Sequence, residues 1–316
     1  MTVQLSVVVP IYNEQENLDY LFDRLLRVLS SLEMSFEIIC VNDGSQDNTL
    51  ACLLAYHQQY PEIKVINLSR NFGKEVALSA GLDFTNGEVV VIIDADLQDP
   101  PELIGEMLEK WRAGFDVVYA TRRSRIGETK LKRLTAFGFY RVLNWISGVL
   151  IPQNTGDFRL LDRRVVEALR RLPERNRFMK GLFAWVGFRQ TGIVFDRPPR
   201  HRGATSWNYW KLWNYALDGI TSFSFVPLKV WSYLGLAIAL PAFFYATYLI
   251  IRTLIFGIDV PGYASLMVAI LFFGGVQLVS LGVLGEYLGR VYLETKTRPL
   301  YFVRDIYGLQ QYDNNK

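Results

Sequence analysis

The stretch Val89-Val-Val-Ile-Ile-Asp-Ala-Asp-Leu-Gln-Asp-Pro-Pro101 decides the fold. Its run of apolar residues is typical of a strand buried on both faces, and such strands occur in parallel sheets. Acidic residues follow the strand at once, and Asp99 with the two prolines predicts the start of a helix. The stretch therefore predicts a strand that delivers polar side chains to one edge of a sheet.

The same alternation of strands and helices extends on both sides of this stretch. We predict strands at 5–11, 36–41, 64–68, 89–93 and 116–120, and helices at 14–32, from 47, at 74–84 and from 99. This order predicts an α/β fold with a mostly parallel sheet and helices on both faces. Ligands bind such sheets beyond the carboxyl ends of the strands, where we expect Asn13, Glu14, Asp43, Asp94 and Asp96.

Asp94 and Asp96 are the strongest candidates for a metal site. Residues two apart on an extended chain face the same way, so these carboxylates would repel each other unless a cation lies between them. A hard divalent ion such as Mg²⁺ or Mn²⁺ fits, with phosphate oxygens and water as further ligands. An Asp-x-Asp pair also occurs in ordinary loops, and Asp43 before Gly44 is typical of a turn. The residues alone leave these structural interpretations open.

The composition of the 316-residue chain is uneven along its length. The chain is 50% hydrophobic with a net charge of +3, which excludes a disordered protein, and its two cysteines exclude a small disulfide scaffold. Residues 230–251 and 260–285 carry no charged side chain. Each run is long enough to cross a hydrocarbon core about 30 Å thick. Buried core helices are the alternative, but core helices of this length normally have a polar face.

Basic residues flank the two apolar runs. Lys211 and Lys229 precede the first run, several basic residues follow the second, and Arg252 is the basic residue of the connector. The positive-inside rule therefore predicts a multi-pass membrane protein with both flanks of the runs in the cytoplasm, and with them both termini and the amino-terminal domain. The predicted domains are an α/β domain at 1–204, an amphipathic juxtamembrane segment at 205–228, a hairpin at 229–290 with spans at about 230–252 and 260–286, and a cytoplasmic tail at 291–316.

Two basic stretches are hidden in the nearly balanced charge. Residues 122–141 hold seven basic residues and one acid, and 197–217 hold four basic residues and no acid. Both are interleaved with large apolar residues, which favours helices in the lipid headgroup layer, including an interfacial helix at 129–151. The alternative is a solvent-exposed basic face over a soluble core. Nucleic acid is not an expected partner, because the apolar runs adjoin these stretches.

Four motifs together resemble a known family. Pro10-Ile-Tyr-Asn-Glu14, Asn42-Asp-Gly-Ser-Gln-Asp-Asn-Thr49, Asn71-Phe-Gly-Lys74 and Asp94-Ala-Asp-Leu-Gln-Asp-Pro-Pro101 look like glycosyltransferase family 2. The whole chain is similar to its polyprenyl-phosphate glycosyltransferases, which include the dolichyl-phosphate mannose synthases. The hairpin is most similar to the bacterial undecaprenyl-phosphate glucosyltransferases of the GtrB type. A Gln-x-x-Arg-Trp motif of processive synthases is absent from the sequence.

The resemblance implies a GT-A (Rossmann-like) fold and a set of site residues. Asp94, Asp96 and Gln98 would bind Mg²⁺ or Mn²⁺ at the donor diphosphate, and Asp157 would act as base near the acceptor. The family's Arg-x-x-Gly-x-Ser element matches this sequence either from Arg200, as Arg200-x-x-Gly203-x-x-Ser206, or from Arg202, as Arg202-Gly203-Ala-Thr205-Ser206. The nucleotide site would comprise Pro10, Tyr12, Glu14, Asp43, Asp94 and Ala95, and the acceptor phosphate site Arg122, Lys132, Arg200, Arg202 and Ser206.

The expected reaction is inverting transfer of a hexose, with UDP-glucose as the expected donor, to polyprenyl phosphate at the membrane. GDP-mannose or an aminosugar nucleotide is the alternative donor. A membrane accessory protein that only binds nucleotide sugars is the non-enzyme alternative, and the intact Asp94-Ala-Asp96 motif argues against it. A channel is disfavoured because the two runs carry no charge. A homo-oligomer such as a tetramer is expected.

Overall fold

The computed structural model describes residues 3–123, 152, 155–175, 177–196, 226–257 and 262–309. The predicted interfacial helix at 129–151, most of the juxtamembrane segment at 205–228, and Lys132, Arg200, Arg202 and Ser206 lie outside the described residues. The chain divides into two compact units, Met1–Asn214 with Arg298–Lys316, and Tyr215–Thr297.

The first unit is built on a mixed sheet. In chain order its elements are β1 (Leu5–Ile11), α1 (Leu18–Ser30), β2 (Phe36–Asn42), α2 (Thr49–Gln59), β3 (Ile63–Leu68), α3 (Lys74–Asp83), β4 (Val89–Ile92), α4 (Leu103–Arg112), β5 (Val117–Arg122), β6 (Thr155–Asp162), α5 (Arg163–Arg170), α6 (Met179–Trp185), β7 (Gln190–Phe195) and β8 (Val303–Tyr307).

The strands of the described residues form an eight-stranded sheet in the order β7-β5-β6-β4-β1-β2-β3-β8. The central strands β4, β1, β2 and β3 are parallel, as predicted. β6 lies antiparallel between β4 and β5, and β8 lies antiparallel against β3. The sheet is thus α/β as expected, but its antiparallel strands were not predicted.

The alternation of side chains along the strands places helices on both faces. Val7 and Val9 of β1 pack in one core cluster with apolar residues of α1, α2 and α4. Ile39 and Val41 of β2 face the opposite cluster, which contains Ala77 and Ala80 of α3. Because successive strand residues point to opposite faces, a continuous apolar run serves both clusters. Helices therefore cover both faces of the central strands, whose carboxyl ends carry the acidic residues.

The second unit contains two long helices, α7 (Val226–Phe256) and α8 (Tyr263–Thr295). α7 extends beyond the predicted span of 230–252 at both ends, whereas α8 begins within the predicted span of 260–286 and extends beyond its carboxyl end. Each contains a segment long and apolar enough to cross a membrane, Leu228–Tyr245 and Phe272–Thr295. Large apolar side chains such as Phe243, Phe244 and Leu278 are two-thirds exposed or more. Such an apolar surface is typical of a face that contacts lipid or another protein.

The segment after the hairpin returns to the sheet. The sequence predicted only a tail at 291–316, whereas Val303–Tyr307 forms the edge strand β8. Asp305 accepts a hydrogen bond from Nδ2 of Asn67 at 2.9 Å, and Nδ2 of Asn42 donates to Oδ1 of Asn67 at 2.9 Å. The Tyr301 hydroxyl donates to Asp83 at 2.8 Å. These contacts tie residues that follow the hairpin to β3 and to the end of α3, and through Asn67 to the end of β2.

Candidate active site

The candidate site lies at the carboxyl-end edge of the parallel strands. β1, β2 and β4 end at Ile11, Asn42 and Ile92, so the residues that follow them meet at one edge. The loops after β1 and β2 are hydrogen-bonded to each other: the Asn13 amide donates to the Ser45 hydroxyl at 3.0 Å, and the Gln46 amide donates to Oδ1 of Asn13 at 2.8 Å. The edge is therefore lined by connected loops rather than independent ones.

The antiparallel strand β6 brings Asp157 to the same edge. The register of β6 with β4 pairs Ile92 with Arg159, so continuing the two chains by two residues places Asp157 opposite Asp94. Asp157 is buried, with only 11% of its side chain exposed. Asp157, the acid expected near the acceptor, thus lies beside Asp94, an acid expected to bind the metal.

Lys74 joins these two carboxylates. Its Nζ lies 2.7 Å from a carboxylate oxygen of Asp94 and 2.5 Å from Oδ2 of Asp157. Lys74 is the first residue of α3, and the two acids come from β6 and from the segment after β4. A charge-assisted hydrogen bond to each acid makes Lys74 the link between three elements of the fold.

The charges at this junction shift the acids in opposite directions. Burial would raise the pKa of Asp157, but Lys74, followed by Lys180, lowers it below the usual range. Burial, with the charges of Asp157 and Asp96, raises the pKa of Asp94 although Lys74 opposes the rise. Asp157 is therefore ionised at neutral pH, and its low pKa makes it a weak proton acceptor and a good orienting group.

Lys74 and its neighbour Glu75 respond to the same charges. Burial would lower the pKa of Lys74, but Asp157 and Asp94 raise it, so the ammonium stays charged. Burial first, and Asp157 second, raise the pKa of Glu75 to about 7. The charges of Asp157 and Lys74 therefore influence the pKa values of several neighbouring groups at this junction.

Asp43 positions the loop that carries Lys74. Its two carboxylate oxygens accept hydrogen bonds from the backbone amides of Phe72 at 2.7 Å and Gly73 at 2.9 Å. Burial is the main cause of the raised pKa of Asp43. Each carboxylate oxygen keeps a second lone pair, so these bonds are compatible with the predicted role of Asp43 in nucleotide binding, which stays a prediction.

The other predicted nucleotide residues surround this edge. Tyr12 is 42% exposed just beyond β1, and Pro10 is half-buried within β1. Glu14 accepts a hydrogen bond from Nδ2 of Asn17 at 2.5 Å. Ala95 is buried next to Asp94. The structure brings these residues to one edge, and their contacts with a nucleotide stay predictions.

The Asp94-Ala-Asp96 segment is a turn, not the extended chain that the sequence argument assumed. β4 ends at Ile92, and Leu97 has a positive φ of 60°. Oδ1 of Asp96 accepts a hydrogen bond from the backbone amide of Gln98 at 3.1 Å. Asp99 was expected to cap the next helix, but α4 begins at Leu103 with Glu102 as N-cap.

The donor set at this turn fits a hard divalent ion only with help from a ligand. Asp94 and Asp96 offer the carboxylate oxygens that Mg²⁺ and Mn²⁺ prefer. Within the described ranges no group of three or more His, Cys, Asp or Glu side chains is placed to hold an ion. Phosphate oxygens and water would therefore have to complete the coordination, as the sequence argument required. The structure does not show a role for Gln98 as ligand.

Arg122 is the predicted acceptor residue that the structure does describe. It ends β5, and its Nη2 lies 3.3 Å from the position that a Cβ would occupy on Gly156. Arg159 is buried, donates to the Gly156 carbonyl at 2.9 Å, and lies over the ring of Phe183. Two cationic side chains therefore lie next to Gly156, the residue before Asp157.

Sequence reasoning missed Lys74, Glu75 and Arg159 as site residues. Lys74 belonged to a quoted motif, and Arg159 to the stretch Thr155-Gly-Asp-Phe-Arg159 around Asp157. The sequence did contain a signal for Lys74, because a cation follows a glycine, Gly73, at the start of a predicted helix. In the structure Gly73 has a φ of 96°, which favours glycine at this position. Nothing in the sequence showed that β6 would bring Asp157 within reach of it.

Comparison with known proteins identifies the family of this chain. The family model described as glycosyl transferase family 2 matches residues 6–170, and the model described as GtrB C-terminal hairpin matches 226–291. The chain belongs to glycosyltransferase family 2. The match covers β1 to α5, including Lys74, Asp94, Asp96 and Asp157. The second match covers most of the apolar hairpin and confirms that prediction.

Relatives within the family align along nearly the whole chain. An uncharacterized glycosyltransferase of Synechocystis sp. is 64% identical over 98% of this chain and 98% of that protein. A bactoprenol glucosyl transferase of Shigella phage SfX is 49% identical over 96% of this chain and 99% of that protein. A prophage bactoprenol glucosyl transferase homolog of Escherichia coli is 47% identical over 96% and 99%.

Gly44 sets the spacing between two loops of this family 2 site. It has a φ of 67°, and a Cβ there would lie 2.4 Å from the backbone nitrogen of Asn71. We expect Gly44→Ala to lower the melting temperature of the detergent-solubilised protein, because the left-handed conformation alone costs about 1–2 kcal/mol. Gly105→Ala in α4 is the control, since its Cβ would meet nothing nearer than 3.9 Å. Equal melting temperatures for the two variants would contradict this account.

Proposed function

We propose that this protein transfers glucose from UDP-glucose to a polyprenyl phosphate, undecaprenyl phosphate, at the cytoplasmic face of the inner membrane. The observation that carries the proposal is the junction of Asp94, Lys74 and Asp157 at the carboxyl-end edge of a family 2 sheet. Relatives named bactoprenol glucosyl transferases share 47–49% of their residues with this chain and support this acceptor and sugar.

The reaction balances as a single displacement. An oxygen of the lipid phosphate attacks the anomeric carbon, and the bond from that carbon to the nucleotide diphosphate breaks, so the anomeric configuration inverts. The transition state has oxocarbenium character, as in other glycosyl transfer. The nucleophile is already anionic, so Asp157 would mainly orient the acceptor, in keeping with the lowered pKa of its carboxyl. Arg122 would offset the charge of the acceptor phosphate.

Mg²⁺ or Mn²⁺ at Asp94 and Asp96 would neutralise the charge that develops on the departing diphosphate. The choice of these two acids rests on their donor chemistry and their place after β4. Lys132, Arg200, Arg202 and Ser206 remain proposed acceptor residues by their positions in the sequence.

The membrane arrangement is part of the proposal. Two helices long enough to cross the bilayer support a multi-pass protein. Basic flanking residues support cytoplasmic termini and a cytoplasmic catalytic domain. This placement would bring the site to the face where a cytoplasmic nucleotide sugar and a membrane-bound lipid phosphate meet. A homo-oligomer, such as a tetramer, remains proposed.

Purified protein with undecaprenyl phosphate and a panel of nucleotide sugars tests the proposal. We expect a lipid-linked product with UDP-glucose and none with the acid-deficient variant Asp157→Ala. Product with GDP-mannose or an aminosugar nucleotide instead would retain the reaction type and change the donor. If no donor yields a lipid-linked sugar while nucleotide sugars still bind, the protein is a binding module and the enzymatic proposal is wrong.

A further inference from the structure

Lys74 occupies the place from which a cation can neutralise two acids at once. Its Nζ contacts Asp94 and Asp157, whose side chains are 20% and 11% exposed, while the lysine side chain itself is 43% exposed. Asp96 adds a third negative charge two residues from Asp94. The lysine side chain is therefore partly exposed, whereas the two acids that it contacts are largely buried.

The backbone around Lys74 holds this position. The amides of the two preceding residues, Phe72 and Gly73, are fixed by the buried carboxylate of Asp43. Gly44 approaches the same loop so closely that a Cβ would meet the backbone of Asn71. The start of α3 is thus anchored independently of Asp94 and Asp157. The lysine side chain, by contrast, has rotatable bonds and can change partner without moving the backbone.

A divalent ion at Asp94 would compete with this ammonium. Both are cations that need the same carboxylate oxygens, and like charges a few ångströms apart repel strongly in a partly buried site. The facing groups include the cations Lys180 and Arg159 near Asp157, and the buried Glu75 next to Lys74. Lys74 alone of these is recorded in contact with Asp94 in the described residues.

We propose that Lys74 is a resident counter-ion that keeps the Asp94 site from binding a divalent ion tightly on its own. Uptake of the ion then requires Lys74 to release Asp94, and the diphosphate of the donor supplies the negative charge that favours this exchange. Lys74 is a positioning residue here, because it acts through Asp94 and Asp157. The inference rests on the proposed function for its biological meaning, but its central claim concerns ion affinity alone.

Mn²⁺ binding to the full-length protein without any nucleotide tests the inference. We expect Lys74→Met to bind Mn²⁺ about tenfold tighter or more than the wild type, by electron paramagnetic resonance of free Mn²⁺. Lys74→Arg keeps the charge and should stay close to the wild type. Lys110→Met removes an exposed lysine of α4 and controls for net charge. Adding Asp94→Asn to Lys74→Met should abolish the gain.

Lys74→Gln provides a second neutral variant if the methionine variant does not fold, and Mn²⁺-dependent rises in melting temperature provide a second measurement. Equal or weaker Mn²⁺ binding by the neutral variants, including no binding by any variant, would overturn the inference. If the neutral variants bind Mn²⁺ more tightly but the wild-type protein transfers no sugar, the inference stands and the proposed function is wrong. If the wild-type protein transfers sugar but the neutral variants bind Mn²⁺ no more tightly than it does, the proposed function stands and the inference is wrong.

Discussion

Asp157→Asn is expected to lower turnover about 10²–10⁴-fold while the protein remains folded. The substitution keeps the shape of the side chain and an oxygen that accepts from Lys74, but it removes the negative charge that Lys74 and Lys180 stabilise. Lys74 would keep Asp94 as its acidic partner, but the positive charge near position 157 would be less balanced, and an acceptor phosphate drawn toward it would be bound in the wrong orientation. Initial rates of lipid-linked sugar formation with UDP-glucose and undecaprenyl phosphate measure the effect.

Asp162→Asn is the matched control for this change. Asp162 ends the same strand, β6, and caps α5 by accepting from the Arg164 amide at 2.9 Å. Asparagine caps helices about as well as aspartate, but its single acceptor oxygen cannot also keep the bond that Oδ2 of Asp162 accepts from Nε1 of Trp111 at 2.8 Å. We therefore expect a lower melting temperature, with turnover of the folded protein near that of the wild type. If Asp157→Asn retained near-wild-type turnover, neither the base role nor the orienting role of Asp157 would survive.

Replacing Asp94 and Asp96 individually by alanine should reduce metal-stimulated turnover by about 10²-fold or more. Each change removes a carboxylate that the proposal assigns to the ion, and Asp94→Ala also removes one of the two partners of Lys74. Rates measured across a Mn²⁺ or Mg²⁺ titration separate a lost ion site from a lower maximal rate. A weakened site should require more ion to reach half of its remaining activity.

The control for the second prediction lies at the opposite end of β4. Glu88 is exposed and immediately precedes the strand, so Glu88→Ala removes an acid without touching the candidate site. It should leave the ion dependence unchanged. Unaltered metal-stimulated turnover in both Asp94→Ala and Asp96→Ala would remove the metal assignment.

Long apolar runs made the central strands and the hairpin predictable from the sequence. β1 and β4 were recognised because strands buried on both faces carry nearly continuous apolar runs, and the hairpin was recognised because a lipid bilayer requires such a run over a greater length. The residues after each parallel strand could then be assigned to one edge. Asp94 and Asp43 follow from this reasoning, although the turn at Asp94-Ala-Asp96 does not.

The remaining part depends on contacts between distant segments. β6 and β8 are antiparallel insertions whose partners are set by tertiary packing, and a short strand such as Val303–Tyr307 has no distinctive pattern of its own. Lys74 meets Asp157 across 83 positions of sequence. The resemblance to family 2 identified Asp157, but no local pattern identified its cationic partner.

The position of β8 has a consequence for biosynthesis. Its partner β3 is made early, whereas β8 follows both apolar helices and emerges from the ribosome only after them. Until then β3 presents a row of unpaired amides and carbonyls, a template for pairing with other chains. Completion of the sheet is thereby deferred until the hairpin has been synthesised, and an aborted chain that lacks residues beyond 297 would display an open, association-prone edge.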